Sequence, residues 1–529
     1  MKLTKMKFTV ILFVFFLIIV GCSDNENTIE TEEKDTSKTD EPSELHIAHN
    51  AAPPTLDWHA TGATSTRDIT MLIYETLISV DADFQPQPML AESFDISDDG
   101  KTYTFNLREG VKFHNGKEMT AEDVIASMEN WLERSDITGQ IFDGATWEAD
   151  GDYTVHLKLA QPSSLTLDTI GTTKQAPAIV PKEVIESASA EGIDEYIGTG
   201  PYKFNEWKQD QYIQLVKNDD YEPLDEETSG WSGKKEALID ELYFHFVSDT
   251  STRIAGLQTG EYDFGYDIPF DMYEQLEADP NINTFLASPA NAVIKFNTKQ
   301  GLASDFNLRQ AINTALDYEE IMLAAFPHEE AFELTPGYMD SDIVKWSSDS
   351  GKAFYNINDQ EKAKKILKDT GYDGENLRIL TTRDYDYIYN LSVVVNEQLN
   401  NLGINSELVV LDWPTVVDMT SKEEHLDDWD ITLSGSSIVS TPTQLISLSN
   451  SWSGGVNDEH ITNTMAAIEL EADEDKAVEL WNEIQQYAWE EALPTIQLGK
   501  FQKLYAVNKK VSDIDTLVGP NFWNITIND

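Results

Sequence analysis

The run AESFDISDDGKTYTFNLREGVKFHNGKEMTAEDV, Ala91–Val124, constrains the architecture more tightly than any other part of the chain. Phe94 and Ile96 stand two apart, as do Tyr103, Phe105 and Leu107, and Asp98-Asp99-Gly100 lies between the two sets. Period-two alternation on both sides of an Asp-Gly turn predicts a hairpin of Glu92–Ile96 with Thr102–Leu107. The acid-rich turn at Asp95–Gly100 superficially suggests a calcium loop. Its twelfth position is Asn106 rather than an acid, and strand alternation begins at once, so the hairpin is the reading adopted. Thr120-Ala-Glu-Asp123 then opens a helix toward Leu132, with a hydroxyl to cap free amides and two acids at the positive end of the dipole. Gly110 and Gly116 read as turns. The run is scaffold on this reading, and His114 and Asn115 are not placed in a ligand site.

Outward from it, a second hairpin is expected to turn at Ala149–Asp152 into the alternating strand Tyr153–Leu159. Before it, Glu44–His49 reads as a strand, and the apolar spacing from Asp68 to Ile78 as a helix. After it, Asp359–Lys368 reads as a charged amphipathic helix ending near Gly371. A β-α-β unit follows: strand Leu377–Leu380, helix Tyr389–Asn401 closed by Gly403, and strand Ile404–Leu411. Asp430–Leu433 is a further expected strand, and Glu474–Ala488 a helix before C-terminal strands. Hairpins followed by β-α-β units indicate a mixed α/β protein of two or three lobes. No internal repeat is visible.

The first residues set the expected compartment. Lys2, Lys5 and Lys7 precede the apolar run Phe8–Val20, which is the length of a signal-peptide core and short for a bilayer span. The run ends at Ile19-Val20-Gly21-Cys22, similar to a bacterial lipobox, so Cys22 is expected to be lipidated and to begin the mature chain. The polar segment that follows, to residue 43, reads as a disordered acidic tether. Cys22 is the only cysteine, so the fold is held by its core and not by disulfides. The remaining length is too great for a single core. Formal net charge is -57. Loss of the three leader lysines takes the mature chain to about -60, which argues against nucleic acid as a partner.

The run Ala91–Val124 is similar, over more than thirty positions, to the signature of the family 5 bacterial extracellular solute-binding proteins, the oligopeptide-, dipeptide- and nickel-binding relatives. Further landmarks occur in order: Leu56-Asp57, Tyr74-Glu75-Thr-Leu, Gly198-Thr-Gly-Pro-Tyr202, Phe306-Asn-Leu-Arg309, and Gln398-Leu-Asn-Asn-Leu-Gly-Ile. The resemblance implies an α/β, two-lobed periplasmic-binding-protein fold (Venus-flytrap, type II) with an extra subdomain in the first lobe. Residues 44–287 plus 493–529 would form lobe I and 288–492 lobe II, after a leader at 1–21 and a tether at 22–43. Chain crossings near Ser288 and Leu493 would form the hinge. It further implies a monomeric lipoprotein on the extracytoplasmic face of the membrane, passing a small ligand to ABC permease subunits and needing no cofactor or metal.

Peptide binders of this family place an aspartate for the ligand amine in a Gly-Trp-x-x-Asp segment before an acid-Pro pair. Anchoring on Pro442 puts Ile438 at the aspartate and Gly435 at the tryptophan, and no acid occurs from Thr432 to Asn457. Arg383 follows a strand at a lobe-edge loop, where open α/β sheets bind ligands, and its fork suits a carboxylate; a surface ion pair with Asp384 or Asp386 is the alternative. Tyr385 stands beside it, as does Tyr387, and one of the two is expected in the core. Trp452, in a Gly/Ser loop, Tyr74 on the first helix and Trp58 closing the opening loop are candidate aromatic walls. Ser436, with Ser437, offers hydroxyls where peptide binders present their acid. Trp413 is read as packing.

Three other classes compete with this reading. No catalytic motif is present, and His328-Glu329-Glu330 lacks the second histidine of a zinc protease. A metal-chelate binder is the main alternative, although His46 and His49, three apart on a strand, point to opposite faces. A sensory protein of the same fold is the third. The reading adopted is a binding protein for a peptide or peptide-like solute, its carboxylate held by Arg383.

Overall fold

The computed structural model describes residues 42–528 apart from 136, 190, 191, 450 and 451. Cys22 and the leader and tether expected around it lie outside the described residues. Among the described residues no helix is long and apolar enough to cross a membrane.

One 11-stranded sheet runs through the body of the molecule. Its order is Ser406–Leu411, Leu377–Thr382, Ile431–Ser437, Ile282–Phe296, Thr495–Asn508, Phe264–Ile268, Glu44–His49, Glu241–Phe246, Tyr212–Lys217 and Tyr202–Lys208, with Phe332–Glu333 pairing on Thr495–Asn508. Glu44–His49 pairs in parallel with Glu241–Phe246 and Phe264–Ile268, and Leu377–Thr382 in parallel with Ser406–Leu411 and Ile431–Ser437. Between these two parallel trios lie the long antiparallel strands Ile282–Phe296 and Thr495–Asn508, which belong to both halves. The molecule is thus a mixed α/β protein of two lobes. Where the long strands cross, their pairing slips between Ala287 and Ala290 and again after Ala292. Ser288 at the first slip and Leu493 just before the second strand hold positive φ, 51° and 41°, a conformation that costs a residue with a Cβ about 1–2 kcal/mol.

The landmarks are explained by packing. Arg309 is buried and donates to the carbonyls of Ala303, Ser304, Ala492 and Leu493, which pins the chain where it enters the second long strand. His114 Nδ1 accepts from Gly198 N and its Nε2 lies 3.0 Å from Gly200 O. A Cβ on Gly198 would sit 2.0 Å from Ile73 O, so the Gly-Thr-Gly run is glycine because it lies against the end of a helix. Asp123 is fully buried, and besides accepting from Thr120 N it takes Lys117 Nζ and Lys182 N.

The hairpin strands form as Ala91–Ile96 and Thr102–Leu107, and join Thr154–Lys158 and Thr146–Ala149 in a separate four-stranded sheet. The helix after Thr120 is Ala121–Arg134, and the β-α-β unit is Leu377–Thr382, Asp386–Leu402 and Ser406–Leu411 with Gly403 left-handed at the helix end. The first helix differs from expectation. It is Thr64–Ile73, and Ile78 begins a strand instead. The helix stops because Tyr74 turns extended and Ile73 O accepts from Gly200 N, a long-range contact that apolar spacing does not encode.

Candidate ligand-binding cleft

The strands that join the lobes carry different chemistry on their two faces. A Cβ built on Gly435 would lie 2.8 Å from Tyr387 Oη and 3.1 Å from Phe501, so Gly435 faces those rings. Alternation then turns Ser434 and Ser436 to the opposite face. Asn291 pairs with Ser436, Val293 with Ser434 and Lys295 with Thr432, and on the other side the same three pair with Lys500, Gln497 and Thr495. Residues opposite one another share a face, so these positions build a polar row in the middle of the sheet. Most of it is buried: Asn291, Thr432, Ser434, Thr495, Gln497 and Lys500 are each under 9 % exposed. Asn291 Oδ1 and Ser434 Oγ have no hydrogen-bond partner among the described protein groups.

Charge is placed at both ends of the row. Lys500 Nζ donates to Asp340 Oδ1 at 2.9 Å and also pairs with Asp342, while Asp340 Oδ2 is left without a partner. Burial raises the Asp340 carboxyl above its ordinary range. At the other end the Lys295 ammonium lies over the ring of Trp452. Lys295 is half-buried by surface area. Burial lowers its pKa to about 8 and the charge of Lys174 acts in the same direction. Trp452 itself packs on Trp429, ring centres 5.9 Å apart, with Leu380 and Val416 beneath. A Cβ on Gly454 would lie 2.4 Å from Trp429 and one on Gly455 2.9 Å from the Trp452 indole nitrogen, so the Gly-Gly pair lets the chain pass over both rings.

Segments far apart in the chain touch directly. Lys345 Nζ bonds Asp168 Oδ2 at 2.9 Å, Ser163 Oγ donates to Glu469 O at 2.7 Å, and Ser164 N donates to Glu471 O at 2.8 Å.

The Phe501 face carries a second space, a cavity of about 1060 Å³ at the carboxyl ends of both parallel trios. Arg383, Tyr385, Tyr387, Trp413, Asp267 and Lys503 are among the residues that line it. Arg383 is exposed; its guanidinium stacks 3.8 Å from the Tyr389 ring and donates to that hydroxyl at 2.5 Å, in place of an ion pair with Asp384 or Asp386. Tyr385 meets Trp413 edge-on at 5.4 Å, and Tyr387 packs on Phe326 and Phe501. Asp267 accepts from Asn50 and pairs with Lys503.

The six expected contact residues therefore do not converge. Arg383 and Tyr385 share the open cavity, and Ser436 lies on the polar row, with Trp452 at its Lys295 end. Tyr74 and Trp58 lie in the main core: Tyr74 is 1 % exposed with its hydroxyl on Leu56 O, and Trp58 packs near Trp231. Neither lines the cavity. Ile438 is buried, and no acid is present at the end of its strand. Lys295, Asn291, Lys500 and Asp340 were not picked out from sequence. One signal was available: Lys295 is the only charge in the apolar run Ala290–Phe296. Among the described residues no group of three His, Cys, Asp or Glu side chains is placed to hold a metal ion.

The family model described as bacterial extracellular solute-binding proteins, family 5 Middle, matches residues 85–458. A probable peptide ABC transporter periplasmic-binding protein, y4tO of Sinorhizobium fredii, is 29% identical over 484 residues, covering 88% of this chain and 90% of its own length. The oligopeptide-binding protein AppA from Bacillus subtilis, solved with a nonapeptide, has a TM-score of 0.74 at 25% identity and covers 92% of this chain and 100% of that one. The binding protein AgaA from A.tumefacien R10, solved with agropinic acid, has a TM-score of 0.76 at 25% identity, over 92% of this chain and 99% of that one.

Proposed function

Because this chain belongs to the bacterial extracellular solute-binding proteins of family 5, we propose that it is the binding component of an ABC importer, capturing a peptide or peptide-like solute between two lobes and delivering it to permease subunits. The observation that carries the reading is the polar row from Asn291 to Lys295. Sheet interiors are apolar as a rule, and each buried polar group left unpaired costs about 1–3 kcal/mol. Here Asn291 Oδ1 and Ser434 Oγ, on adjacent strands and one pair apart along one face, stand unpaired, with a lysine at one end and a half-paired aspartate at the other. Such a surface suits a polar ligand with backbone-like donors and acceptors. The peptide reading draws support from y4tO and AppA, which are named for peptides.

In this reading residues 44–287 and 493–529 form one lobe and 288–492 the other, with the hinge where Ser288 and Leu493 hold positive φ. Ligand contacts made only when the lobes meet shift the population toward closure. Lys345–Asp168 and the Ser163–Glu469 bond then hold the closed arrangement. The protein is anchored outside the cytoplasm through a lipid on Cys22, works as a monomer, and performs no catalysis.

The test is to release and identify by mass spectrometry whatever small molecule travels with the purified protein, then to follow Tm against peptides, chelates and sugars. Peptides that raise Tm with concentration support the reading. Stabilisation by a metal chelate or a sugar alone, with peptides inert, replaces the cargo. Anchoring is tested separately: Cys22→Ser abolishes acylation and detergent partitioning, and continued acylation of that variant contradicts it.

A further inference from the structure

The polar row runs across four strands as well as along one. Ser436 pairs with Asn291, Asn291 with Lys500, and Lys500 with Glu333. Residues opposite one another share a face, so these four side chains stand in line with their strands about 4.8 Å apart. Lys500 is the one base among them, and it is already engaged. Its ammonium donates to Asp340 Oδ1 at 2.9 Å and pairs with Asp342. Glu333, Asp340 and Asp342 therefore bring three carboxylates to one ammonium, a formal excess of two negative charges at this end of the row.

What remains unmet there is all of one kind. Asp340 is buried; its Oδ1 accepts both Lys500 Nζ and Asp342 N, while Oδ2 accepts nothing. Asn291 Oδ1 is likewise buried without a donor. The exposed Glu333 carboxylate pairs with no base among the described residues. Buried acceptors without donors cost free energy, and an uncompensated carboxylate costs more than a neutral oxygen. A group that brings donors and positive charge together removes both costs. A neutral hydroxyl or amide meets the acceptors but leaves the excess charge, and an anion is repelled.

We propose that the cargo carries a cationic group, a primary amine in the peptide-like case, and that this group is held at the Lys500 end of the polar row by Asp340 Oδ2 and Asn291 Oδ1, with the charge of Glu333 beside them. The inference rests on the solute-binding reading above and narrows it. An ammonium has three donors, enough for both orphan acceptors and one group more. Lys500 fixes the Asp340 carboxylate in place without neutralising the whole cluster. At the far end of the row Lys295 stands over Trp452, so a solute with an amine at one end and a carboxylate at the other has a single orientation along it.

The experiment compares trialanine with N-acetyl-trialanine, which lacks the ammonium, by calorimetry on the full-length protein freed of bound small molecules. The parent is expected to bind the free amine at least tenfold more tightly than the acetylated compound. Asp340→Asn keeps the shape, lowers that preference below about threefold, and leaves binding of the acetylated compound within about twofold of the parent, which separates charge recognition from a general defect. If Asp340→Asn does not fold, Glu333→Gln, on an exposed side chain, decides: a preference reduced at least threefold upholds the site, and an undiminished one overturns it. Equal binding of both compounds by the parent, an undiminished preference in Asp340→Asn, or equal weakening of both compounds in that variant overturns the proposal while leaving the peptide reading intact. If neither compound binds, the peptide reading fails and the small molecule released from the protein decides. A cationic molecule whose affinity falls tenfold in Asp340→Asn upholds the site; a molecule without a cationic group, or no molecule and no stabilisation by any amine in a panel of primary amines, overturns it.

Discussion

The Lys295 ammonium stands 5.7 Å from the centre of the Trp452 ring, on the face of the sheet opposite to the one that meets Arg383. The two cations are therefore separated by the sheet itself. Arg383 is satisfied by Tyr389, whereas Lys295 looks onto buried polar groups. Arg383→Ala is expected to change affinity for a stabilising ligand by less than about twofold, and Lys295→Met to weaken it by at least about tenfold, the scale of one charge-assisted bond. Isothermal titration of both variants decides it. The reverse pattern puts the cargo in the open cavity with Tyr385 and Trp413.

Binding depends on pH through the same lysine. Burial, with the charge of Lys174 acting in the same direction, brings the Lys295 ammonium down to about 8 in the absence of ligand. An anion raises that value in the complex, so protons are taken up on binding and affinity falls as pH rises through 8. The expected loss is up to tenfold per pH unit above 8 until the pKa of the complex is reached. Affinity measured from pH 7 to pH 9.5 shows this slope in the parent and not in Lys295→Met; a flat parent profile contradicts it.

On the proposed lobe boundaries closure has its own handle at Lys345, which bonds Asp168 and lies outside the lining of the cavity. Lys345→Met removes a pair present only when the lobes meet, and leaves Asp168 largely buried without its cation. Ligand affinity is expected to fall about 3- to 30-fold through a smaller closed population. Scattering should show a larger radius of gyration in the variant at equal ligand concentration. Unchanged affinity and radius show that the bond takes no part in closing.

Buried neutral histidines contribute to the loss of stability in acid. His59, inside the core with its Nε2 on Ala178 O, and His114, against Gly198 and Gly200, are both lowered to about 4, chiefly by burial. The unfolded chain protonates these groups near 6.5, so between pH 6.5 and 4 it binds more protons than the folded one. Their contribution is fully present above pH 6.5 and is lost as pH falls toward 4. His59→Gln should flatten the fall of Tm over that window relative to the parent, as followed by circular dichroism. An unaltered slope means that His59 carries its proton in the fold.

Much of the architecture was legible because it is local. Alternation about Asp98-Asp99-Gly100, the Thr120–Asp123 helix start and the Gly403 stop each place an element without reference to the rest of the chain. The end of the first helix was not legible, since Ile73 is stopped by Gly200 more than a hundred residues away. The site was harder for the same reason. Arg383 and Ser436 stand at the ends of strands that sequence locates, yet which sheet face each one meets depends on the register with Ile282–Phe296 and on the slips near Ala287 and Ala292. Trp452 looked like a ring with nothing regular to pack on, and its partner is Trp429, twenty-three residues earlier. Lys295 left a mark, a lone charge in an apolar run, which became meaningful once Ser434 and Thr432 lay beside it.

The most direct measurement is hydrogen–deuterium exchange with and without the ligand that raises Tm. Capture on the polar row predicts added protection in 290–296, 432–437 and 452–456, with residues 383–390 and 413–417 exchanging as before. Protection confined to 383–390 and 413–417, with 290–296 unchanged, contradicts the account and moves the cargo to the opposite face of the sheet.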